Sequence, residues 1–88
     1  MTIPEILQSL AEEYPEALTA DGFDDAIIGV VEGAGRADVV AYDYDVCVAI
    51  LMRDDDMDKE TAEEYLDFNT VGAHVGEHGP LFVHDWRK

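Results

Sequence analysis

Basic residues are scarce in this sequence, and their scarcity excludes two kinds of partner. Of the 88 residues only 5 are Lys or Arg, against 21 Asp or Glu, so the formal net charge is -16. Proteins that bind nucleic acid displace its counterions with clustered Lys and Arg, and anionic membranes attract the same side chains. We therefore expect no direct binding to nucleic acid and none to a membrane.

Cysteine and long apolar runs are scarce as well. A single cysteine, Cys47, excludes an internal disulfide, and no apolar run is long enough to span a bilayer. The first residues include Glu5 and no Lys or Arg, whereas a signal peptide begins with basic residues. These shortages predict a protein of the cytoplasm.

Apolar and acidic side chains are abundant instead. Hydrophobic residues make up 48% of the chain, which is enough for one core despite the charge. Domains usually span about 50–250 residues, so residues 1–88 predict a single domain. Three explanations of the acid excess are open: adaptation to a salty cytoplasm, mimicry of a nucleic acid in a partner's groove, and attraction of a basic protein. We favour salt adaptation, because acidic residues occur in every segment of the chain.

Local signals predict an N-terminal helix followed by a hairpin. Thr2 and Glu5 form a T-x-x-E capping box, with Pro4 in the first turn, and apolar residues recur at helical spacing until Pro15. Two β-branched runs, at 26–31 and 37–42, flank a connection that contains Gly33 and Gly35. That connection lacks the Lys and the following helix that a phosphate-binding loop requires.

Two helices and a strand are predicted in the second half. Asp43 or Asp45 can cap a helix that runs to about Arg53, with Cys47 on its apolar face, and Asp58 can cap the next helix. Residues 81–83 predict a short last strand. The second of these helices has a predicted inward stripe of Ala62, Tyr65, Leu66 and Asn69, widened by Phe68 and Val71.

Together these elements predict an α+β fold. It consists of an N-terminal helix, an antiparallel β-hairpin, two consecutive helices and a short third strand that joins the hairpin, with the helices packed on one face of a small sheet. The exposed strand edges of such a sheet allow a monomer or a homodimer. Trp86, near the end of the chain, is either a packing cap or an anchor for a partner, and we expect packing in so small a protein.

One acidic run resembles the start of a calcium-binding loop. Asp54, Asp56 and Asp58 imitate the first three ligands of an EF-hand, but Lys59 stands where the loop requires Gly, and Tyr65 where it requires Glu. We expect no specific calcium site.

Three histidines form the only other candidate metal cluster. His74 and His78 are four residues apart, Glu77 adjoins the second, and His84 follows in the last strand region, so zinc or nickel could bind if the three imidazoles converge. Gly76 lies between the first two and disfavours the shared helix face that such a site uses. We therefore expect loop histidines and no metal.

Several segments between residues 22 and 84 carry a resemblance. They are residues 24–30, 41–47, 63–69 with its Phe-Asn pair, 75–77 (Val-Gly-Glu) and 79–83. With them the chain resembles a group of small proteins encoded by tailed phages and prophages. It departs from that group at Gly79, where Thr is common, and at His74, where an aromatic residue is common. The resemblance implies a viral accessory protein in the host cytoplasm, and the acidity fits a virus of a salt-loving host, such as a haloarchaeal virus.

These observations predict a small acidic protein that is not an enzyme, needs no cofactor and binds an unidentified host or viral protein. Two alternatives remain: a nucleic-acid-mimicking inhibitor of a DNA-binding host protein, and a metal-dependent enzyme that uses His74, His78 and His84. The predicted binding surface contains Asn69, His74, Glu77, His78 and Trp86.

Overall fold

Helices and strands follow one another in the predicted order. The computed structural model describes residues 1–71 and 76–87. Along them lie α1 (Ile3–Glu13), a short 3-10 helix (Asp24–Ala26), β1 (Ile27–Val31), β2 (Val39–Asp43), α2 (Tyr44–Asp54), α3 (Lys59–Leu66), a π-helical turn (Asp67–Val71) and β3 (Leu81–Val83). The predicted α+β fold is confirmed.

The described strands form one sheet in the order β1-β2-β3. β1 runs antiparallel to β2, with Val30 opposite Val40 and a bulge between Ile27 and Gly29. β3 joins the other edge of β2 and runs parallel to it, with Phe82 opposite Tyr42. A parallel pair requires a crossover connection, and α2 and α3 lie within that connection.

Side-chain caps determine where the three helices of the described chain begin. The first N–H groups of a helix have no partner within it, so a preceding polar side chain stabilises the start. The N–H of Glu5 donates to the hydroxyl of Thr2 at 3.3 Å. Asp43, rather than Asp45, accepts from the N–H of Val46 at 3.2 Å. At α3 the N–H of Thr61 donates to Asp58 at 2.8 Å, so each helix begins at a predicted cap.

The hydrophobic core lies between the helices and one face of the sheet. Val40 and Tyr42 of β2, Cys47 of α2 and Leu66 of α3 are fully buried within it. The phenolic oxygen of Tyr42 accepts a hydrogen bond from the N–H of Ala20 at 2.7 Å, and its ring stacks on Phe82 at 5.5 Å between centroids. Tyr42 therefore ties the segment between α1 and β1 to the centre of the sheet.

The chain leaves the α-helical period after Leu66, which overturns part of the predicted inward stripe. Residues Asp67–Val71 form a π-helical turn, in which successive side chains rotate by a smaller angle than in an α-helix. In this turn Phe68 is 88% exposed and Asn69 is exposed as well. Tyr65 is also exposed, although it still lies within α3. The prediction that these three side chains face the core is wrong, whereas Ala62 and Leu66 are buried as expected.

Candidate functional site

The side of the sheet opposite the core carries a second set of apolar side chains. Residues paired across neighbouring strands share a face of the sheet, and successive residues along a strand point to opposite faces. The register therefore places these side chains away from the core cluster, to which the buried residues of all three helices in the described chain belong. We call this set the outer face: Ile28, Val31, Val39, Ala41, Leu81 and Val83.

The outer face is exposed along its two edge strands. Val39 and Ala41 of the central strand are buried, but Ile28, in the bulge of β1, is 55% exposed, and Leu81 and Val83 of β3 are 40% and 38% exposed. These exposed side chains lie on either side of the buried central strand and on the same face of the sheet. Exposed apolar side chains grouped on one face mark a contact surface more often than an isolated apolar residue does.

A shallow depression of about 400 Å³ adjoins the outer face where β2 and β3 end. Because these strands are parallel, their carboxyl ends lie at the same edge of the sheet. We call it the strand-end depression, and its lining is Ile28, Asp43, Val83, His84, Asp85, Trp86 and Arg87. Apolar and charged groups thus meet in one concave surface.

A short turn presents Trp86 at this depression. The Asp85 carboxylate accepts the backbone N–H of Arg87 at 2.9 Å, and the Arg87 guanidinium donates to it through Nε at 3.0 Å and Nη2 at 3.2 Å. A side chain that accepts from the backbone two residues on makes an Asx turn. Trp86 lies at the tip of the turn and is 94% exposed, so the prediction that it packs against the fold is wrong.

The inner wall of the depression is connected to the π-helical turn. The His84 ring packs on Tyr44 with 4.1 Å between centroids, and the Tyr44 hydroxyl donates to Asp67 at 2.8 Å. Burial and then this carboxylate raise the pKa of Tyr44 to about 12. Tyr44 is therefore neutral at physiological pH and acts as a structural link between α2, β3 and the turn.

Cys47, the only cysteine, is fully buried among core side chains. Burial, followed by the nearby Asp43 charge, raises the pKa of its thiol to about 12. A thiol that stays protonated is a poor nucleophile. The prediction that Cys47 is a buried apolar residue is confirmed.

The other predicted surface residues do not line the strand-end depression. Asn69 donates to the carbonyl of Tyr65 at 3.1 Å and lines a separate hollow that also contains Pro80. Glu77 is exposed, and His78 is half-buried, with Nε2 3.6 Å from Glu77 and 3.9 Å from Glu16. The prediction for His74 falls outside the described residues.

The described residues offer no metal cluster. In the ranges 1–71 and 76–87, no three His, Cys, Asp or Glu side chains are placed to hold an ion. Two of the carboxylates that imitate an EF-hand are engaged elsewhere: Asp54 binds Arg53 at 2.7 Å, and Asp58 caps α3. His84 packs on Tyr44, while the carbonyl of His78 accepts from the N–H of Leu18 at 3.0 Å.

Sequence reasoning missed the outer face, although the signal was present. In residues 81–83 every side chain is apolar, whereas a strand with one solvated face alternates apolar and polar residues. The same holds for residues 27–31, which are Ile-Ile-Gly-Val-Val. Apolar residues on both sides of strands in a small sheet with helices on one side indicate that the second side also makes contacts.

Within the described part of the chain, none of the helices combines the length and the apolar character needed to cross a bilayer. Searches against protein-family models, curated proteins and solved structures find no match to this chain.

Proposed function

We propose that this chain is a non-catalytic, virus-encoded accessory protein that acts by binding another protein through its outer face. The single observation that carries the proposal is the group of exposed apolar side chains on the outer face next to the exposed indole of Trp86. Tryptophan is enriched among the residues that dominate binding energies, especially beside well-packed apolar contacts. The viral origin is supported by the resemblance of residues 22–84 to proteins of tailed phages and prophages.

The charge of the chain supports a basic partner. A net charge of -16 attracts positively charged proteins over distances comparable to the Debye length and repels acidic ones. The apolar contacts would then provide most of the binding energy, and the surrounding carboxylates would raise the association rate and favour basic partners. This division of roles accounts for both the exposed outer face and the excess of acid.

The proposal is tested by affinity capture with three tagged proteins: wild type, Val83→Asp and Leu18→Asp. Lysate of cells that carry this gene is passed over each at high salt. Leu18 is the matched control because it is an exposed apolar residue, 45% accessible, in a hollow with Asn69 and Pro80. Both variants replace an exposed aliphatic side chain with aspartate and so add one negative charge, at different places on the surface.

We expect wild type and Leu18→Asp to retain the same basic protein and Val83→Asp to lose it. Retention by all three proteins, or by none, would contradict the proposal. Release of the captured protein by duplex DNA would show that the chain occupies a nucleic-acid-binding groove, as the nucleic-acid-mimic hypothesis requires.

A further inference from the structure

We infer that the open edge of β1 binds an extended segment of the partner as an additional strand, with apolar side chains at alternate positions and a Lys or Arg at one end. This inference rests on the proposed function and adds the form and chemistry of the partner's segment. Ile28 connects the two surfaces, because it belongs to the outer face and also lines a groove beside β1.

The open edge of β1 carries no charge. Within the described residues β1 pairs only with β2, and residues 28–31 form no backbone hydrogen bond to any other described segment. Every second residue of an antiparallel strand directs its N–H and C=O groups away from the paired neighbour, so β1 offers such groups to a further strand. Proteins commonly block an open edge with a charged residue or a proline, whereas β1 reads Ile-Ile-Gly-Val-Val.

A regular stretch of three residues is left for pairing. A bulge disturbs β1 between Ile27 and Gly29, and a bulge on an edge strand ends pairing locally. Residues 29–31 follow it in unbroken register with β2. β3 also pairs with β2 over three residues, so a strand of this length is sufficient in this sheet.

A groove of about 380 Å³ lies beside this edge. One wall is α1 with its flanking residues and the other is β1, and no described residue of the other helices or strands lines it. The groove therefore lies next to β1 and not beneath the sheet. We call it the edge groove, and its apolar walls include Ile6 and Leu10 of α1 and Ile27 and Val30 of β1.

The edge groove fits the side chains of an added strand. Such a strand would lie about 4.8 Å from β1, with its side chains alternating between the two faces of the sheet. Those on one face would enter the groove beside Val30, and those on the other would extend the outer face beside Ile28. In strand addition, backbone hydrogen bonds give affinity and pockets select alternate side chains. Apolar residues at every second position therefore suit this edge.

One end of the edge groove carries carboxylates. The hydroxyl of Tyr14, which lines the groove, donates to Glu32 at 3.5 Å, and Glu32 directly follows β1. Partial burial, followed by the charges of Glu32 and Glu13, raises the pKa of Tyr14, so both carboxylates lie near its ring. Glu13 also lines the groove, and its side chain forms no hydrogen bond or ion pair with a described residue. Arg36, in an adjoining hollow, forms no ion pair with a described carboxylate either.

These carboxylates favour a basic segment over a second copy of the chain. A Lys or Arg at the end of an added strand would lie beside Glu13, which has no cationic partner among the described residues. A second copy carries the same carboxylates and a net charge of -16, so repulsion opposes its approach.

Two peptides test strand addition. The first is acetylated and amidated Lys-Val-Thr-Val-Thr-Val-Thr, in which valines occupy alternate positions. The second has the same sequence with a methyl group on the backbone nitrogen of every residue after the lysine, so it keeps the side chains and the charge but loses the N–H donors. Each peptide is titrated into isotopically labelled full-length protein, and the amide signals are followed by NMR.

We expect the first peptide to shift the amide signals of residues 28–31 and of the α1 residues that line the edge groove. It should bind about tenfold tighter than the methylated peptide, which corresponds to about 1.4 kcal/mol, the value of one or two hydrogen bonds. Equal affinity of the two peptides, shifts confined to β3, or no shift at millimolar concentration overturns the inference.

A third peptide, with Glu in place of Lys, tests the basic end. We expect it to bind wild type about threefold more weakly than the first peptide, the effect of one exposed ion pair. Glu13→Gln should remove most of this preference. Glu12→Gln, a change on the same helix at a residue that does not line the edge groove, should keep it. An equal loss in both variants means that net charge alone attracts the peptide, and the inference is then wrong.

Two variants of α1 test the position of the peptide. Ser9 is half-buried and lines the edge groove, whereas its neighbour Gln8 is exposed and does not. We expect Ser9→Phe to fill the groove and abolish binding of the first peptide, and Gln8→Phe to leave it unchanged. Equal binding to both variants contradicts the inference. If Ser9→Phe does not fold, the comparison of the first two peptides on wild type still decides.

Failure of this inference is distinguishable from failure of the proposed function. Capture of a basic protein that only Val83→Asp loses, combined with equal affinity for the first two peptides, would leave the proposed function standing and remove only this inference. Sedimentation of wild type as a dimer that Ser9→Phe dissociates would assign the edge to a second copy and overturn the inference.

Discussion

Replacing Tyr42 by Phe should lower the free energy of unfolding by about 1.5 kcal/mol, through the loss of one hydrogen bond. Tyr42 is fully buried at the centre of the sheet, and its oxygen accepts the N–H of Ala20 at 2.7 Å. Phe keeps the stacking on Phe82, which lies 5.5 Å away, but leaves that N–H without its acceptor. An unsatisfied buried donor costs about 1–3 kcal/mol, and the half-buried position of Ala20 places the loss in the lower half of that range.

The assay is urea and thermal unfolding followed by circular dichroism, with Tyr14→Phe as the control. For a domain of this size, 1.5 kcal/mol corresponds to a fall in Tm of about 6–12 °C. Tyr14 also loses a hydroxyl, but its bond to Glu32 is 3.5 Å long and exposed, so its variant should change stability by less than about 0.5 kcal/mol. If Tyr42→Phe is no less stable than Tyr14→Phe, Tyr42 does not tie the Ala20 segment to the sheet.

Four further predictions concern the thiol, alkaline pH, a cap and salt. Cys47 should react with a thiol reagent at pH 8 only as fast as the protein unfolds, because it is buried and its pKa is raised to about 12; rapid labelling of the native protein would contradict this. Because the pKa of Tyr44 is raised to about 12, above its unfolded value near 10, its contribution is complete below pH 10 and is lost as the pH rises towards 12. Tyr44→Phe should therefore flatten the fall in stability across that window, and an unchanged alkaline unfolding curve would be evidence against the link to Asp67. Asp58→Ala should lower stability by about 1 kcal/mol and Asp58→Asn by much less, since only Ala removes the cap; equal losses in urea unfolding would assign the effect to charge. Molar KCl should raise the unfolding midpoint by screening the net charge of -16, and full stability at low salt would leave recognition as the explanation of the acid.

The parts of the fold that depend on neighbours in sequence were predictable. A capping side chain accepts an N–H within three residues, so the caps Thr2, Asp43 and Asp58 could be predicted from the sequence. Each accepts a hydrogen bond at the start of its helix, and Asp43 was one of two candidate caps for α2. The last strand was also placed correctly at 81–83, because glycines and Pro80 separate a β-favouring run from what precedes it. The burial of Cys47 followed from the apolar stripe of α2.

The candidate site was only partly predictable, since it depends on contacts between distant residues. Trp86 was among the predicted binding residues, but its exposure depends on the turn that Asp85 and Arg87 form. Asn69 was placed on an inward stripe because the α-helical period was extended past Leu66, where the chain adopts a π-helical turn. A hydrogen bond from Tyr44 to Asp67 connects that turn to α2. The two residues are 23 positions apart, so no local sequence pattern predicts the bond.

The sequence by itself determined the acid excess, the helix starts, the strand positions and the α+β class, because charge, capping and periodicity are properties of single residues and near neighbours. Only the tertiary structure decided which sheet face is covered, that β3 runs parallel to β2, and that Asp43, Val83 and Trp86 line one depression. Strand pairing brings together residues up to 40 positions apart, as with Ala41 and Leu81, and the side of the sheet on which each residue lies follows from that register.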